Sequence, residues 1–341
     1  MALKRKSQKN KSNITFSEAK EIVYEHKKLT QSKVTADNYV KAMNELIYYF
    51  DDCEVKSVTK EDAYDFLDYL LNDKIHYRGD PRRSDKVGLA PRSVNSYLAM
   101  CKGMYTVLLE LGYIKHSHDV FRNIEQLKYQ KKKPKVIKPS ELKKLVKSLD
   151  KRYYTDLRLL TCIYVMLESY GRIGEILALT EDDVDFDRGI ITFNQTKNNL
   201  FRSVPVSKQT IKIMSELLET NRKSFPRNHN RFFLTNTGRQ MKYSSLKKSL
   251  LTAAQRAGLK QHVTFHYFRH TAATNFIRQG GSIKTLQYYL GHSDINVTEI
   301  YLHEDDEYNR QTQQEYTPLN ILKENTLQTR RGQRSHRQKF R

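Results

Sequence analysis

The sequence predicts a mainly α, two-domain protein with a small antiparallel β-sheet confined to its second half. Three observations carry that reading. At 341 residues the chain exceeds an average single domain and is long enough for two cores. Apolar residues recur at helical spacing along most of it, except over 183–207, where β-branched and aromatic runs are split by Asn-rich turns. Between the halves, "KYQKKKPKVIKPS" (128–140) carries six lysines, two prolines and no acid, the composition of an exposed linker.

The elements follow in order. Residues 1–13, with Lys4, Arg5, Lys6, Lys9 and Lys11 and almost nothing apolar, read as a basic mobile arm. "TADNYVKAMNELIYYF" (35–50) sets Tyr39, Met43, Leu46, Ile47 and Phe50 on one helical face, with Thr35 as N-cap. "TKEDAYDFLDYLLND" (59–73) opens on a Thr cap with acids in its first turn. Gly, Pro and charge break the pattern over 74–91, a loop, and 92–114 is helical again until Gly112. Residues 14–127 therefore form an all-helical domain, 128–139 a basic linker, 140–310 a second domain and 311–341 a polar, basic tail. In the second domain Ser140 caps "ELKKLVKSLD". "YTDLRLLTCIYVMLESYGRIGEILALT" (154–180) is a buried helix, a glycine break and an amphipathic helix. The small sheet follows, and then helices over 208–220, 243–257, 264–279 and 282–290. No internal repeat is present.

Sixty Lys+Arg against 38 Asp+Glu give a formal net charge of +22 and a sequence pI near 9.7, which points to a polyanionic partner. A membrane surface is the less favoured polyanion. The longest apolar run, "LLTCIYVML" (159–167), is too short to span a bilayer, and the polar N-terminus is no secretory signal. Nucleic acid is the expected partner. Cys53, Cys101 and Cys162 are odd in number, far apart and without CxxC spacing. They imply a reducing, cytoplasmic setting, each as a small buried residue, with neither a disulfide framework nor a cysteine-built zinc site.

Four features of the second domain carry chemistry. Arg172 opens the amphipathic helix, three residues before Glu175; alone, the two read as an exposed ion pair. Lys197 lies in a turn of the small sheet, where lysine is common. "TFHYFRHTAATNF" crowds His266, Arg269 and His270 into about one helical turn. The two histidines have zinc-ligand spacing, but no HExxH glutamate and no third ligand accompany them, so no metal is expected. His292 follows Gly291 at a helix end, and Tyr301 comes nine residues later. Together these residues supply what a metal-free phosphoryl transfer needs. Two arginines clamp the charged equatorial oxygens. Histidines bond the phosphate or move a proton. A lysine protonates the leaving alkoxide, and a tyrosine hydroxyl acts as nucleophile.

The order Arg172, Lys197, His266-x-x-Arg269, Gly291-His292, Tyr301 resembles the tyrosine recombinase (phage integrase) family. "HYFRHTAATNFIRQGGSIKTLQYYLGHSDINVTEIYLH" is similar to its most recognisable segment, "YGRIGEILALT" to its first-arginine motif and "TKNNLFRSVPVS" to its lysine-bearing β-hairpin. Residues 14–127 resemble its helical core-binding domain, and the likeness spans about 14–307. The resemblance implies an α+β catalytic domain and a site-specific recombinase or integrase of a mobile genetic element. It implies that Tyr301 attacks duplex DNA to form a 3′-phosphotyrosine link, without metal, ATP or other cofactor. Arg172 and Arg269 would hold the scissile phosphate, and Lys197 would protonate the 5′-oxygen. His266, as general base, and His292 would complete the pocket, and Glu175 would orient Arg172. A homo-tetramer on paired DNA sites is implied, with C-terminal segments exchanged between neighbours, for which 311–341 is a candidate, a disordered basic tail being the competing reading. Accessory DNA-bending or directionality proteins would help set the outcome, and the enzyme would be nucleoid-associated when bound to DNA. On this reading, alanine at either Arg172 or Arg269 abolishes cleavage and leaves the fold intact.

Overall fold

A computed structural model of the chain describes residues 13–76, 86–130, 134–195, 200–225 and 230–301. It divides into two compact units, Met1–Lys131 and Lys132–Arg341. Residues 1–12 of the expected arm, 77–85 of the 74–91 loop, Lys197 and the 311–341 tail lie outside the described residues.

The first unit is built on four helices, α1 (Phe16–Thr30), α2 (Lys33–Tyr49), α3 (Lys60–Asn72) and α4 (Pro91–Glu110). Their starts are set by caps. Thr15 and Glu18 form a capping box on α1, and Thr59 and Asp62 form one on α3. On α2 the cap is Ser32, whose Oγ accepts from the Thr35 N–H, so the helix begins earlier than a Thr35 cap would place it. Pro91 starts α4, where its missing N–H costs nothing, and Gly112 beyond its end takes a left-handed φ of 75°. Phe16, Met43, Leu46, Phe66, Leu70, Leu98, Tyr105 and Phe121 fill the core. Cys101 is buried there, and burial pushes its thiol up to about 12. Cys53 is only half-buried.

The second unit starts within the stretch expected to be linker. Ile137 is 2 % exposed, and its N–H donates to Thr271 Oγ1 at 2.8 Å. The first helix, α5 (Pro139–Lys147), begins on Pro139, so Ser140 is a helical residue rather than the cap. At the centre is α6 (Tyr154–Ser169), which contains the longest apolar run of the sequence and packs against α8 (Lys208–Ser224), α9 (Tyr243–Arg256) and α10 (Phe265–Arg278). A helix apolar on all sides is stable only when covered on all sides, and each fully buried Leu, Ile or Met contributes about 1.5–3 kcal/mol. Between α6 and α8 come α7 (Ile173–Ala178) and the antiparallel strands β1 (Val184–Asp185), β2 (Ile190–Gln195) and β3 (Leu200–Pro205), in the order β1-β2-β3. The β2–β3 register pairs Ile191 with Val204 and Phe193 with Arg202. Last come α11 (Ile283–Leu290) and α12 (Asn296–Glu299). Ala273 and Ile277 of α10 meet Leu286 and Leu290 of α11 and Tyr301 in a small separate apolar cluster.

Candidate active site

The site begins where α6 stops. Tyr170 adopts a left-handed φ of 56°, a conformation that costs a non-glycine residue on the order of 1 kcal/mol. Its ring stacks on Tyr289 (centroids 5.6 Å apart, 12° between planes) and meets Phe276 edge-on, which holds the turn. The expected glycine break is therefore made by Tyr170. Gly171 serves close approach instead, because a Cβ there would lie 2.8 Å from the Phe193 ring and 2.9 Å from Ile176.

The turn delivers Arg172 as the N-cap of α7. Glu175 Oε2 accepts from the Arg172 N–H (2.7 Å), and Oε1 accepts from Arg172 Nη1 (3.2 Å). The same carboxylate accepts two bonds from Arg202 of β3, Nη2 at 2.6 Å and Nη1 at 3.2 Å. Burial raises the Glu175 carboxyl, but Arg202 and then Arg172 outweigh it and hold it below the usual range. The Arg202 guanidinium also covers the Phe193 ring at 4.4 Å.

The C-terminus of α11 gathers the arginines. Gly291, at φ 61°, ends the helix in a left-handed turn. Three consecutive carbonyls then each accept from a different arginine: Tyr289 from Arg202 Nε (2.9 Å), Leu290 from Arg269 Nη2 (2.8 Å) and Gly291 from Arg172 Nη2 (3.4 Å). Terminal carbonyls lack intrahelical partners and carry partial negative charge, so cations belong there. Strand β3, the cap of α7 and helix α10 thus meet on one helix end. Three arginines facing one carboxylate leave the place cationic and suited to an anion.

Arg269 is nearly buried, and Nη1 also donates to the Tyr170 carbonyl at 2.5 Å. Burial first, then repulsion from Arg172, lowers its pKa to about 10, which still leaves it charged at neutral pH. His292 Nε2 lies 3.1 Å from Arg269 Nη2 and Nδ1 lies 3.0 Å from Thr298 Oγ1. A guanidinium only donates, so Nε2 accepts and Nδ1 carries the proton. Burial and the charges of Arg269, Arg172 and Arg202 lower His292 to about 4, so the ring is neutral at pH 7. His266 is open to solvent on one side, and partial desolvation of its ring, then the charges of Arg269 and Arg172, lower its pKa.

Tyr301 is 3 % exposed and packs its ring in the small apolar cluster. Its hydroxyl lies 2.7 Å from His270 Nδ1. The rings of His266 and His270 meet edge-to-face at 4.2 Å. Among the described residues no group of three or more His, Cys, Asp or Glu is placed to hold a metal ion. The neighbouring tyrosines are occupied elsewhere: Tyr288 accepts from the Ser203 N–H, and Tyr289 stacks on Tyr170. Tyr308 and Tyr316 lie outside the described residues.

Helices α7, α10 and α11 and the segment after α11 therefore bring Arg172, Glu175, His266, Arg269, His292 and Tyr301 into one region of the second unit. Lys197 lies outside the described residues. Sequence reasoning missed two members, Arg202 and His270. Arg202 was detectable: it shares strand parity with buried Val204, while Phe201 is 68 % exposed, so it is an inward-facing arginine. His270 was visible only as a metal-ligand candidate, because its partner is 31 residues away.

Comparison with known proteins agrees with this architecture. Residues 135–308 match the model of the phage integrase family, and residues 15–124 match the phage integrase SAM-like domain. Tyrosine recombinase XerD of Listeria innocua serovar 6a is 30 % identical over 280 residues, 81 % of this chain and 91 % of that protein. Tyrosine recombinase XerC of Chlamydia pneumoniae is 33 % identical over 159 residues, 46 % of this chain and 51 % of that protein. Among solved structures, the XerH site-specific recombinase in a post-cleavage complex with its palindromic difH substrate superposes with a TM-score of 0.68 at 19 % identity, over 89 % of this chain and 85 % of that one. A lambda integrase dimer bound to a core site gives a TM-score of 0.64 at 14 % identity, over 87 % of this chain and 79 % of that one. These two likenesses are of fold. The matched domains and the XerD relationship establish that the chain belongs to the phage integrase family and is a site-specific tyrosine recombinase of DNA.

Proposed function

We propose that the chain cuts and rejoins duplex DNA with Tyr301 as nucleophile, through a 3′-phosphotyrosine link and without metal or ATP. One observation carries this reading most. The end of α11 collects Arg172, Arg269 and Arg202 on adjacent carbonyls, and the ring of Tyr301 packs on that same helix. A scissile phosphate held by Arg172 and Arg269 places its phosphorus within the reach of a hydroxyl delivered by the same chain. The tyrosine oxygen forms the new P–O bond as the bond to the 5′-oxygen breaks, and Lys197 gives that oxygen its proton. A neutral histidine of α10 takes the phenolic proton; the resemblance implies His266, while His270 is the one within hydrogen-bond distance of the hydroxyl. His292 completes the pocket beside Arg269, and Glu175 keeps Arg172 oriented. The phosphotyrosine ester conserves the energy of the broken bond, so attack by a 5′-hydroxyl of the partner strand rejoins the DNA.

The formal charge of +22 supports a duplex DNA partner. The relatives are named as tyrosine recombinases, and we take the active form to be a homo-tetramer on paired sites, with tail 311–341 as the candidate contact between neighbours. Accessory DNA-bending or directionality proteins set the outcome. The setting is the cytoplasm, on nucleoid DNA. No helix among the described residues is long and apolar enough to cross a membrane.

Tyr301→Phe tests the reading, since it removes only a hydroxyl. Duplex binding in a gel-shift assay stays unchanged, and the covalent complex on a nicked suicide substrate disappears. Persistence of that complex, or a phosphotyrosine mapped to Tyr308 or Tyr316, sinks the assignment.

A further inference from the structure

We infer that His270 is a further residue of the reaction, accepting a hydrogen bond at Nδ1 from the Tyr301 hydroxyl and thereby aiming the attacking oxygen. The inference rests on Tyr301 being the nucleophile. The contact is 2.7 Å, from a ring on the second turn of α10, one residue beyond Arg269. It therefore ties the hydroxyl to the element that also supplies a phosphate-clamping arginine.

The local packing gives this bond its effect. Ala273, Ile277, Leu286 and Leu290 surround the Tyr301 ring, which leaves rotation about the C–O bond as the main freedom of the hydroxyl. A hydrogen bond to His270 fixes that rotation and turns the oxygen lone pairs away from the imidazole. His270 is itself held, edge-to-face against His266 at 4.2 Å. Burial, with the charges of His266, Arg269 and His292, lowers its pKa to about 4, so the ring is neutral at pH 7. A phenol is a better donor than a neutral imidazole, so Tyr301 donates, Nδ1 accepts and the imidazole proton resides on Nε2. Position i+4 from His266, read from sequence as a rejected zinc ligand, thus acquires a different role.

Asn keeps an acceptor where Nδ1 stands, through Oδ1, and Phe keeps the ring without one. The full chain and its His270→Phe, His270→Asn and Tyr301→Phe variants are compared for single-turnover cleavage of a nicked suicide substrate at saturating DNA. Gel-shift affinity and melting temperature are measured alongside, and the covalent peptide is mapped. His270→Phe slows cleavage by about tenfold to a hundredfold, the usual effect of a misaimed reacting group, with DNA affinity unchanged. His270→Asn recovers most of that loss. Should the Phe variant not fold, His270→Ala against His270→Asn reads the same difference. Parental-rate cleavage by the Phe or Ala variant, or an Asn variant as slow as either, overturns the role of His270 while a label on Tyr301 leaves the nucleophile standing. A label on another tyrosine overturns both.

Discussion

Arg269 and Arg172 are assigned to one phosphate, yet the fold holds them in opposite ways. Arg269 is 3 % exposed and donates to the carbonyls of Tyr170 and Leu290 and to His292. The Arg172 side chain is 47 % exposed; it bonds Glu175 at 3.2 Å and only grazes the Gly291 carbonyl at 3.4 Å. Arg269 joins three segments, the left-handed turn after α6, the end of α11 and the start of the run to Tyr301, so it belongs to the fold as much as to the site. Arg172 is positioned from one side, by a carboxylate that buried Arg202 fixes in turn. Identical side chains in one motif set are thus held differently: the buried one ties three segments together, and the exposed one stands open to solvent.

The most severe test of that difference is Arg269→Ala. It removes the guanidinium from the Tyr170 and Leu290 carbonyls, and unsatisfied buried groups cost about 1–3 kcal/mol each. Cleavage is lost and stability toward denaturant falls by about 2–4 kcal/mol. This departs from the expectation that either alanine variant leaves the fold intact. An unfolding midpoint equal to the parent's would erase the distinction between the two arginines.

Arg172→Ala comes next. Cleavage falls by about two to three decades, as for loss of one charge-stabilising donor. Stability changes by less than about 1 kcal/mol, because the lost pair is an exposed one. Arg172→Lys rescues poorly, since an ammonium lacks the planar fork. Single-turnover cleavage and denaturant unfolding on the same preparations decide it, and a stability loss matching that of Arg269→Ala would count against the comparison.

The smallest effect is in pH. His270 and His292 are lowered from 6.5 to about 4 in the folded chain. As pH falls below 6.5, the unfolded chain takes up protons that these folded imidazoles refuse, so stability present above 6.5 is lost progressively toward 4. Protonated His292 can no longer accept from Arg269, so acid acts on the buried arginine's side of the pocket. The melting temperature of the full chain therefore declines over that window. Replacing His292 by Asn shallows the decline, and an unchanged slope in that variant removes His292 as a cause.

Much of the fold and of the site is legible in the sequence. The helical period places α2, α3, α4, α6 and α8–α11, alternation places the sheet, and the motif residues among the described ones converge. Departures cluster where neighbours compete for one job: Ser32 displaces Thr35 as a cap, Pro139 displaces Ser140, and Tyr170 makes the helix break expected of Gly171. Ile137 is apolar within a basic run, and only the core it enters shows that the linker has ended.

Sequence alone determined the periodic elements, the basic charge and the set of residue types, because these depend on spacing along one chain. Tertiary structure decided which groups touch. Nothing local says that Tyr289, Leu290 and Gly291 offer their carbonyls to arginines from β3, α10 and the cap of α7, or that Tyr301 meets His270. Those contacts join residues tens of positions apart, up to 119 between Arg172 and Gly291. They form because a helix end buried against other elements must find donors for its terminal carbonyls, and the packing of α6 against its neighbours determines which donors are within reach.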